Sequence, residues 1–336
     1  MGKMTYFSKI TFCLSASALV ALSTLSAKGL PILDDKLFDN SRNFSRPPRT
    51  LLFPTDVSAG GVAIFPGQVR QAKRQNGVSV KAQAKIEVPA NHTVAYFPNH
   101  NFFANPHILD AMAPDSLDNV VMRFGAATEK EEGLSNRALP YLNRFPSIFA
   151  LDLCRSEIKD SSLSCLTNLR NVEVLELYAN ELDGSCFKDL TVMKDLKVID
   201  LSDNCFKPEN TKYFPLYPNL EYLQLSHLKL TAASLKPISK LQKLRFLGLS
   251  DNIDLGDEII DDLLKLKSLR HLDIRGTKIS ASGLKRLQTT KIQYLEFSPS
   301  LKNPLSSGKM QKPTNIEPYE RDIHRIFAPV SRDRRL

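Results

Sequence analysis

One hydrophobic frame recurs seven times between residues 148 and 300, and its period leaves the chain few folds to adopt. The segments are Ile148-x-x-Leu151-x-Leu153, Val172-x-x-Leu175-x-Leu177, Leu196-x-x-Ile199-x-Leu201 and Leu220-x-x-Leu223-x-Leu225. They continue as Leu244-x-x-Leu247-x-Leu249, Leu269-x-x-Leu272-x-Ile274 and Ile292-x-x-Leu295-x-Phe297. Successive middle positions lie 24, 24, 24, 24, 25 and 23 residues apart. A fixed period of this length marks a stacked array of small units, each unable to bury its own apolar face. Within a unit, the Leu-x-Leu alternation predicts a short strand with two side chains directed inwards. Later in the unit the apolar spacing becomes three or four, as at Leu235, Ile238 and Leu241, or Ile260, Leu263 and Leu266. That is the period of a helix or of 3₁₀ turns.

Three positions beyond the last apolar residue each unit places a turn residue: Ser156, Asn180, Asn204, Leu228, Asn252, Thr277 and Ser300. The whole pattern, LxxLxLxxNxL, resembles the leucine-rich-repeat family over 148–300. The resemblance implies an α/β solenoid of the right-handed horseshoe type, with a parallel β-sheet on the concave side and short helices on the convex side. An Asn at the bend can bond backbone groups with its amide, and stacked Asn residues repeat the arrangement. Leu228 cannot, so a locally different turn is expected in the fourth unit. Leu255 falls one position late, in keeping with the 25-residue spacing.

A solenoid needs a cover over its first core layer. Leu117-x-x-Val120-x-Met122 has the repeat frame but precedes the first clear unit by 31 residues. Upstream, Lys85-Ile86-Glu87-Val88-Pro89 and Thr93-Val94-Ala95-Tyr96-Phe97 alternate like two strands. The expected organisation is a signal peptide over 1–27, a flexible lead-in over 28–59, and an N-terminal β-containing cap with irregular repeat units over 60–145. The repeats occupy 146–300, and a basic, Pro-containing tail 301–336. A separate small β domain in 60–145 is the alternative. The signal-peptide reading rests on Lys3 and Lys9, the apolar run Ile10–Leu25 and small residues around Ala27. It places the chain outside the cytoplasm: in the periplasm, at the cell surface or in the medium. Tyr319–Phe327 could form a short helix. Asn43-Phe44-Ser45 and Asn91-His92-Thr93 match glycosylation acceptors, which only a eukaryotic secretory route would use.

The net charge of +9 raises the question of a nucleic-acid partner. Its distribution answers it: residues 141–300 carry 22 basic and 21 acidic side chains, and the excess lies at the two ends. No basic stripe interleaved with aromatics marks the repeats, so no nucleic acid is expected. No segment after the first 27 residues is apolar for long enough to insert stably in a membrane. Motifs for nucleophilic, metal-dependent or nucleotide-dependent catalysis are absent from the sequence, and no catalytic residue, metal site or cofactor is assigned. His92, His100 and His107 do not have metal-ligand spacing. Some bacterial leucine-rich-repeat proteins are ubiquitin ligases built around a catalytic cysteine. Here Cys154, Cys165, Cys186 and Cys205 all lie inside the repeats. They read as small buried residues, with a Cys165–Cys186 bridge disfavoured by offset.

What the repeat offers is a surface. The position before the second conserved apolar residue reads Ala150, Val174, Val198, Tyr222, Phe246, His271 and Tyr294, an aromatic ridge in its second half. The position after it reads Asp152, Glu176, Asp200, Gln224, Gly248, Asp273 and Glu296, a mostly acidic column. Tyr178 and Arg275 stand at the next outward position. Aromatics beside charge are typical of binding hot spots, and an acidic column steers basic partners. Partner-binding residues are therefore expected at Tyr178, Tyr222, Phe246, His271 and Tyr294, with Asp152, Glu176, Asp200, Asp273 and Glu296. The expected function is non-enzymatic: an exported protein–protein interaction module whose partner is basic or presents aromatic or aliphatic groups. The alternatives are a secreted effector or adhesin acting on host proteins, and an enzyme with its site in 60–145.

Overall fold

The computed structural model describes residues 44–68, 77–126 and 128–298. The expected signal peptide, the whole of the tail and the Tyr319–Phe327 helix lie outside the described residues. Every repeat frame becomes a three-residue strand: β7 (Ala150–Asp152), β8 (Val174–Glu176), β9 (Val198–Asp200), β10 (Tyr222–Gln224), β11 (Phe246–Gly248), β12 (His271–Asp273) and β13 (Tyr294–Glu296). Each pairs in parallel with the next, and the middle apolar residues face one another: Leu151, Leu175, Ile199, Leu223, Leu247, Leu272 and Leu295. The irregular unit joins in the same register. β6 (Asn119–Val121) pairs Val120 with Leu151 despite its 31-residue separation. A parallel pair needs a crossover, and the crossovers run behind the sheet as short helices at Asp160–Leu163, Ala232–Ile238, Ile260–Leu263 and Ala281–Gln288. Elsewhere they are 3₁₀ turns, at Ser185–Lys188, Leu190–Val192 and Pro208–Leu216, and a further 3₁₀ turn, Asp257–Ile259, leads into the Ile260–Leu263 helix.

The main core is one continuous cluster from Leu51 to Leu287, and Ala63, Phe65 and Ala95 of the cap strands form a small second one. Between the second and third repeats the main core is aromatic: the Phe187 ring meets Phe214 at 5.6 Å and Tyr217 at 5.9 Å, both edge-on. Cys186 is buried there and Cys154 on the sheet side, whereas Cys165 is half-buried and Cys205 exposed, against the expectation of four buried residues; none of the four forms a disulfide among the described residues.

The sheet does not stop at β6. It continues through β5 (His92–Pro98), parallel to β6, then β2 (Gly60–Pro66) and β3 (Val78–Lys81), both antiparallel. Two differences from the sequence reading arise here. The stretch 28–59, expected as a flexible lead-in, contains β1 (Arg49–Leu52), with Leu51, Phe53 and Ala59 buried. Second, the two strands on either side of Pro89 do not belong to one sheet. β4 (Lys85–Val88) pairs antiparallel with β1, while β5 enters the main sheet. The cause is the N-terminal stretch, which docks at the bend: Arg46 and Asn91 exchange backbone and side-chain bonds of 2.9 and 3.0 Å. Arg46 and Arg49 then converge on Asp118, a fully buried carboxylate immediately before β6. Burial pushes the Asp118 carboxyl up, and Arg49 pulls it back down.

The turns after β8, β9 and β11 are held by the residue column at Asn180, Asn204 and Asn252. Asn180 Nδ2 donates to the carbonyls of Leu153 and Leu177, both at 2.9 Å, and its Oδ1 accepts from Ser156 N and Ile158 N. Asn252 does the same with Leu225 and Leu249 (2.8 and 2.9 Å), and accepts from Leu228 N and Leu230 N. One amide thus satisfies backbone groups of two successive repeats. Ser156 substitutes with its hydroxyl, donating to Met122 O and accepting from Phe124 N. The residue before the column is left-handed in every repeat from Arg155 to Gly276, with φ between 54° and 68°. Leu228 has no amide to offer, and its turn does differ: Lys229 is left-handed as well as His227. The same double kink occurs around Ser156, at Arg155 and Glu157. Replacing Asn252 by Ala would orphan buried donors and acceptors in two repeats. Asn252→Ala is expected to lower unfolding free energy by at least about 3 kcal/mol, measured by urea denaturation.

Candidate functional site

The outward face of the sheet carries the predicted residues in straight columns, because parallel strands bring equivalent positions to the usual strand spacing of about 4.8 Å. In the first column the rings of Tyr222 and Phe246 stack face to face, with centroids 4.1 Å apart and planes within 6°. Phe246 then meets His271 at 4.6 Å, and His271 meets Tyr294 at 5.6 Å. The ridge is therefore continuous across four strands. Its exposure is not even: Tyr222 and Phe246 are buried, His271 is half-buried, and Tyr294 is 47% exposed. Burial pushes the Tyr222 phenol up, with nearby carboxylates adding to the effect.

The acidic column has a local structural cause. Asp152 accepts from Cys154 N (3.0 Å), Asp200 from Ser202 N (2.9 Å) and Asp273 from Arg275 N (3.1 Å). Each carboxylate caps its own strand end two residues on, the short-range bond that Asp favours at turns. Its charge is also partly matched. Arg123 Nε bonds both Asp152 oxygens, and its Nη2 lies 3.9 Å from Glu176. At the other end Arg275 Nε bonds Asp273 at 2.8 Å, and its Nη2 reaches Glu296 at 3.3 Å. His271 Nε2 lies 2.7 Å from Glu296 Oε1. The column is broken at Gly248, where a Cβ would fall 1.6 Å from Gln224 Oε1, so the Gln224 amide fills the gap.

Burial pushes the Glu176 carboxyl well above its ordinary range, and Asp152 adds to this while Arg123 opposes it. Asp152, Cys154 and Glu176 have donor atoms within 4.8 Å of one another, the grouping within the described residues that could hold a metal ion. Arg123 already supplies the positive charge there. Burial keeps the Cys154 thiol protonated, which opposes thiolate ligation.

The next outward column was incompletely anticipated. It runs Cys154, Tyr178, Ser202, Ser226, Ser250 and Arg275, with Ser226 and Ser250 hydroxyls 2.7 Å apart. Beside it, Arg155 lies over the Tyr178 ring at 5.3 Å. His227 sits between two carboxylates of neighbouring repeats, 3.2 Å from Asp203 and 3.3 Å from Asp251. The Asp203 hydrogen bond raises the His227 pKa against its burial. Reading the residue before the Asn column across repeats, as Arg155, Ala179, Asp203, His227 and Asp251, was the sequence signal for this cluster.

The repeat frame, the parallel ladder and the bonded turn column together define an α/β solenoid of the leucine-rich-repeat fold. Searches of protein-family models and of curated proteins gave no match. Similar solved structures include internalin C2 and internalin F of Listeria monocytogenes. The first is 21% identical with TM-score 0.43, over 55% of this chain and 72% of that one. The second is 16% identical with TM-score 0.38, over 55% and 61%. A leucine-rich-repeat protein of Leptospira interrogans is 20% identical with TM-score 0.38, over 55% of each chain. This chain therefore spans less than two thirds of the last two.

Burial raises the Asp200 pKa from 3.8 to about 6. The folded state therefore holds the proton more tightly than the unfolded state, and stability is gained as pH falls from about 6 towards 4. His227 acts in the same sense, contributing most below its unfolded pKa of about 6.5 and losing that contribution as pH rises through its raised folded value. Asp200→Asn keeps the Ser202 bond and removes the buried charge. The variant is expected to be more stable than wild type at pH 7.5, by up to about 3 kcal/mol, with the difference vanishing near pH 4. Thermal or urea unfolding across that pH range reads it directly.

Proposed function

We propose that this protein is a non-enzymatic, exported binding module that holds a protein partner on the outward face of its sheet. The observation that carries the reading is the open end of the aromatic ridge. Tyr294 is exposed, ring-packed on His271 and flanked by the ion-paired Glu296 and Arg275. A rigid aromatic beside polar groups is the composition of interface hot spots. Tyr178 with Arg155, and His227 with its two Asp partners, extend the same face towards the earlier repeats. Tyr222 and Phe246, with Asp200 and Asp273, form the floor beneath these contacts, where their burial suits them to fix the face. Because both ends of the acidic column are already matched by arginines, a partner offering aromatic or aliphatic groups fits better than one recognised by positive charge alone.

Export rests on the apolar N-terminal run of the sequence. No helix of the described residues is long and apolar enough to cross a membrane.

The test is affinity capture with the mature chain, from its own envelope fraction and from candidate host extracts. Wild type is compared with a variant carrying Tyr178→Ala, His271→Ala and Tyr294→Ala, after circular dichroism shows that the variant folds. Loss of a captured protein by at least about tenfold, the scale set by removing hot-spot aromatics, supports the reading. Undiminished capture would place the binding surface elsewhere.

A further inference from the structure

Away from the repeat face, two tight turns of the cap meet through a chain of four polar side chains. His107 lies in the 3₁₀ turn Pro106–Leu109, which Asp110 terminates; Tyr141 and Arg144 lie in the 3₁₀ turn Leu139–Arg144. Residues three apart on such a turn stand one above the other. The pair Tyr141 and Arg144 therefore faces the pair His107 and Asp110. Arg144 Nη1 donates to Asp110 Oδ1 at 2.7 Å, and its Nη2 donates to the backbone carbonyls of Asp110 (2.8 Å) and Met112 (3.3 Å). The other oxygen, Asp110 Oδ2, lies 2.8 Å from His107 Nδ1. His107 Nε2 lies 2.9 Å from the Tyr141 hydroxyl, with the two rings edge-to-face at 4.9 Å and 81°.

The hydrogen-bonding roles follow from chemistry. A carboxylate held by a guanidinium is ionised and only accepts, so the neutral imidazole donates from Nδ1 and keeps its lone pair at Nε2. Tyr141 O–H then donates to that lone pair. A hydroxyl bonded to an imidazole that a carboxylate orients is the arrangement by which proteins activate a nucleophile. The His107 and Asp110 side chains are 67% and 51% exposed. That same exposure leaves the relay open to a reagent.

We propose that Tyr141 is an activated nucleophile and a site of covalent O-acylation by activated acyl donors such as thioesters and acyl imidazoles. In the step, Tyr141 Oη attacks the acyl carbon and its proton passes to His107 Nε2. The new C–O bond forms as the bond to the leaving group breaks. The leaving group departs with that electron pair and takes up the proton from His107, leaving the imidazole neutral and Tyr141 an ester. No oxidant or reductant is needed. The site accepts one group per chain and is independent of the binding role proposed for the sheet face.

The test uses N-acetylimidazole on the full folded chain, with acetylation of each tyrosine followed by peptide mass spectrometry from pH 5.5 to 9. Tyr213 and Tyr294 serve as internal references. Tyr141 is expected to react about tenfold faster than either at pH 7.5, short of the roughly hundredfold or more of enclosed general-base sites because this site is open. Its pH profile should differ from that of the references, whose rates keep rising with hydroxide. His107→Gln retains an acceptor for the hydroxyl but cannot take its proton, and should bring Tyr141 down to the reference rate and profile. Asp110→Asn should fall between the two. A clamp with only a structural role gives a different result: Tyr141 reacts at the reference rate in wild type, or unchanged in His107→Gln. Either outcome overturns the proposal, as does finding the acetyl group on His107 instead.

Discussion

A side-chain amide bonded to the backbones of two successive repeats is the interaction on which this structure depends. A three-residue strand offers too few ladder bonds to fix its own register. The register is set because Asn180, Asn204 and Asn252 each reach back to the carbonyl that ends the previous strand as well as their own. The extra residue of the 25-residue unit enters just after Asn252, at Ile253–Asp254, and the Asn252 bonds to Leu225 and Leu249 are kept. At Ser156 and Leu228, where the amide is missing, a second left-handed residue redirects the chain, and at Thr277 the hydroxyl donates to Ile274 O instead.

The N-terminal end solves a different problem. The first repeat layer would expose Val120 and Met122, and the cap covers it by prolonging the same sheet instead of adding a separate body. The buried Asp118, between two arginines delivered by the strand before β2, ties that cap to the solenoid. Removing one member of such a group leaves a buried charge uncompensated, a far larger effect than losing a surface pair.

Periodicity made the solenoid legible because apolar spacing is a direct record of which side chains face the core. It located all seven strands and the displaced unit at Val120. It could not show that residues 49–52 form a strand, since Arg-Thr-Leu-Leu carries no alternation and its partner, β4, lies more than thirty residues away. Nor could it separate β4 from β5, whose divergence depends on a long-range contact between Arg46 and Asn91. On the outward face the columns were legible and their burial was not. Tyr222 and Phe246 look like contact residues in sequence, yet they stack on each other and lie buried. The acidic column reads as a steering device, yet Asp152, Asp200 and Asp273 each cap a strand end. A short Asp-x-Ser or Asp-x-Cys spacing was the available clue. The His227 cluster was missed because its members come from three repeats, one residue before the Asn column.

The bonded turns, the stacked floor and the matched charges all act to hold the outward side chains still, which is what a preorganised binding face requires. Rigidity of the turns is therefore the central claim. Amide hydrogen exchange on the whole chain tests it most directly, at Ser156, Ile158, Leu228 and Leu230, whose N–H groups donate to Asn side chains of the following repeat. The expected result is protection equal to that of the strand amides of Leu175 and Leu223. Exchange at the rate of open surface turns would contradict the account.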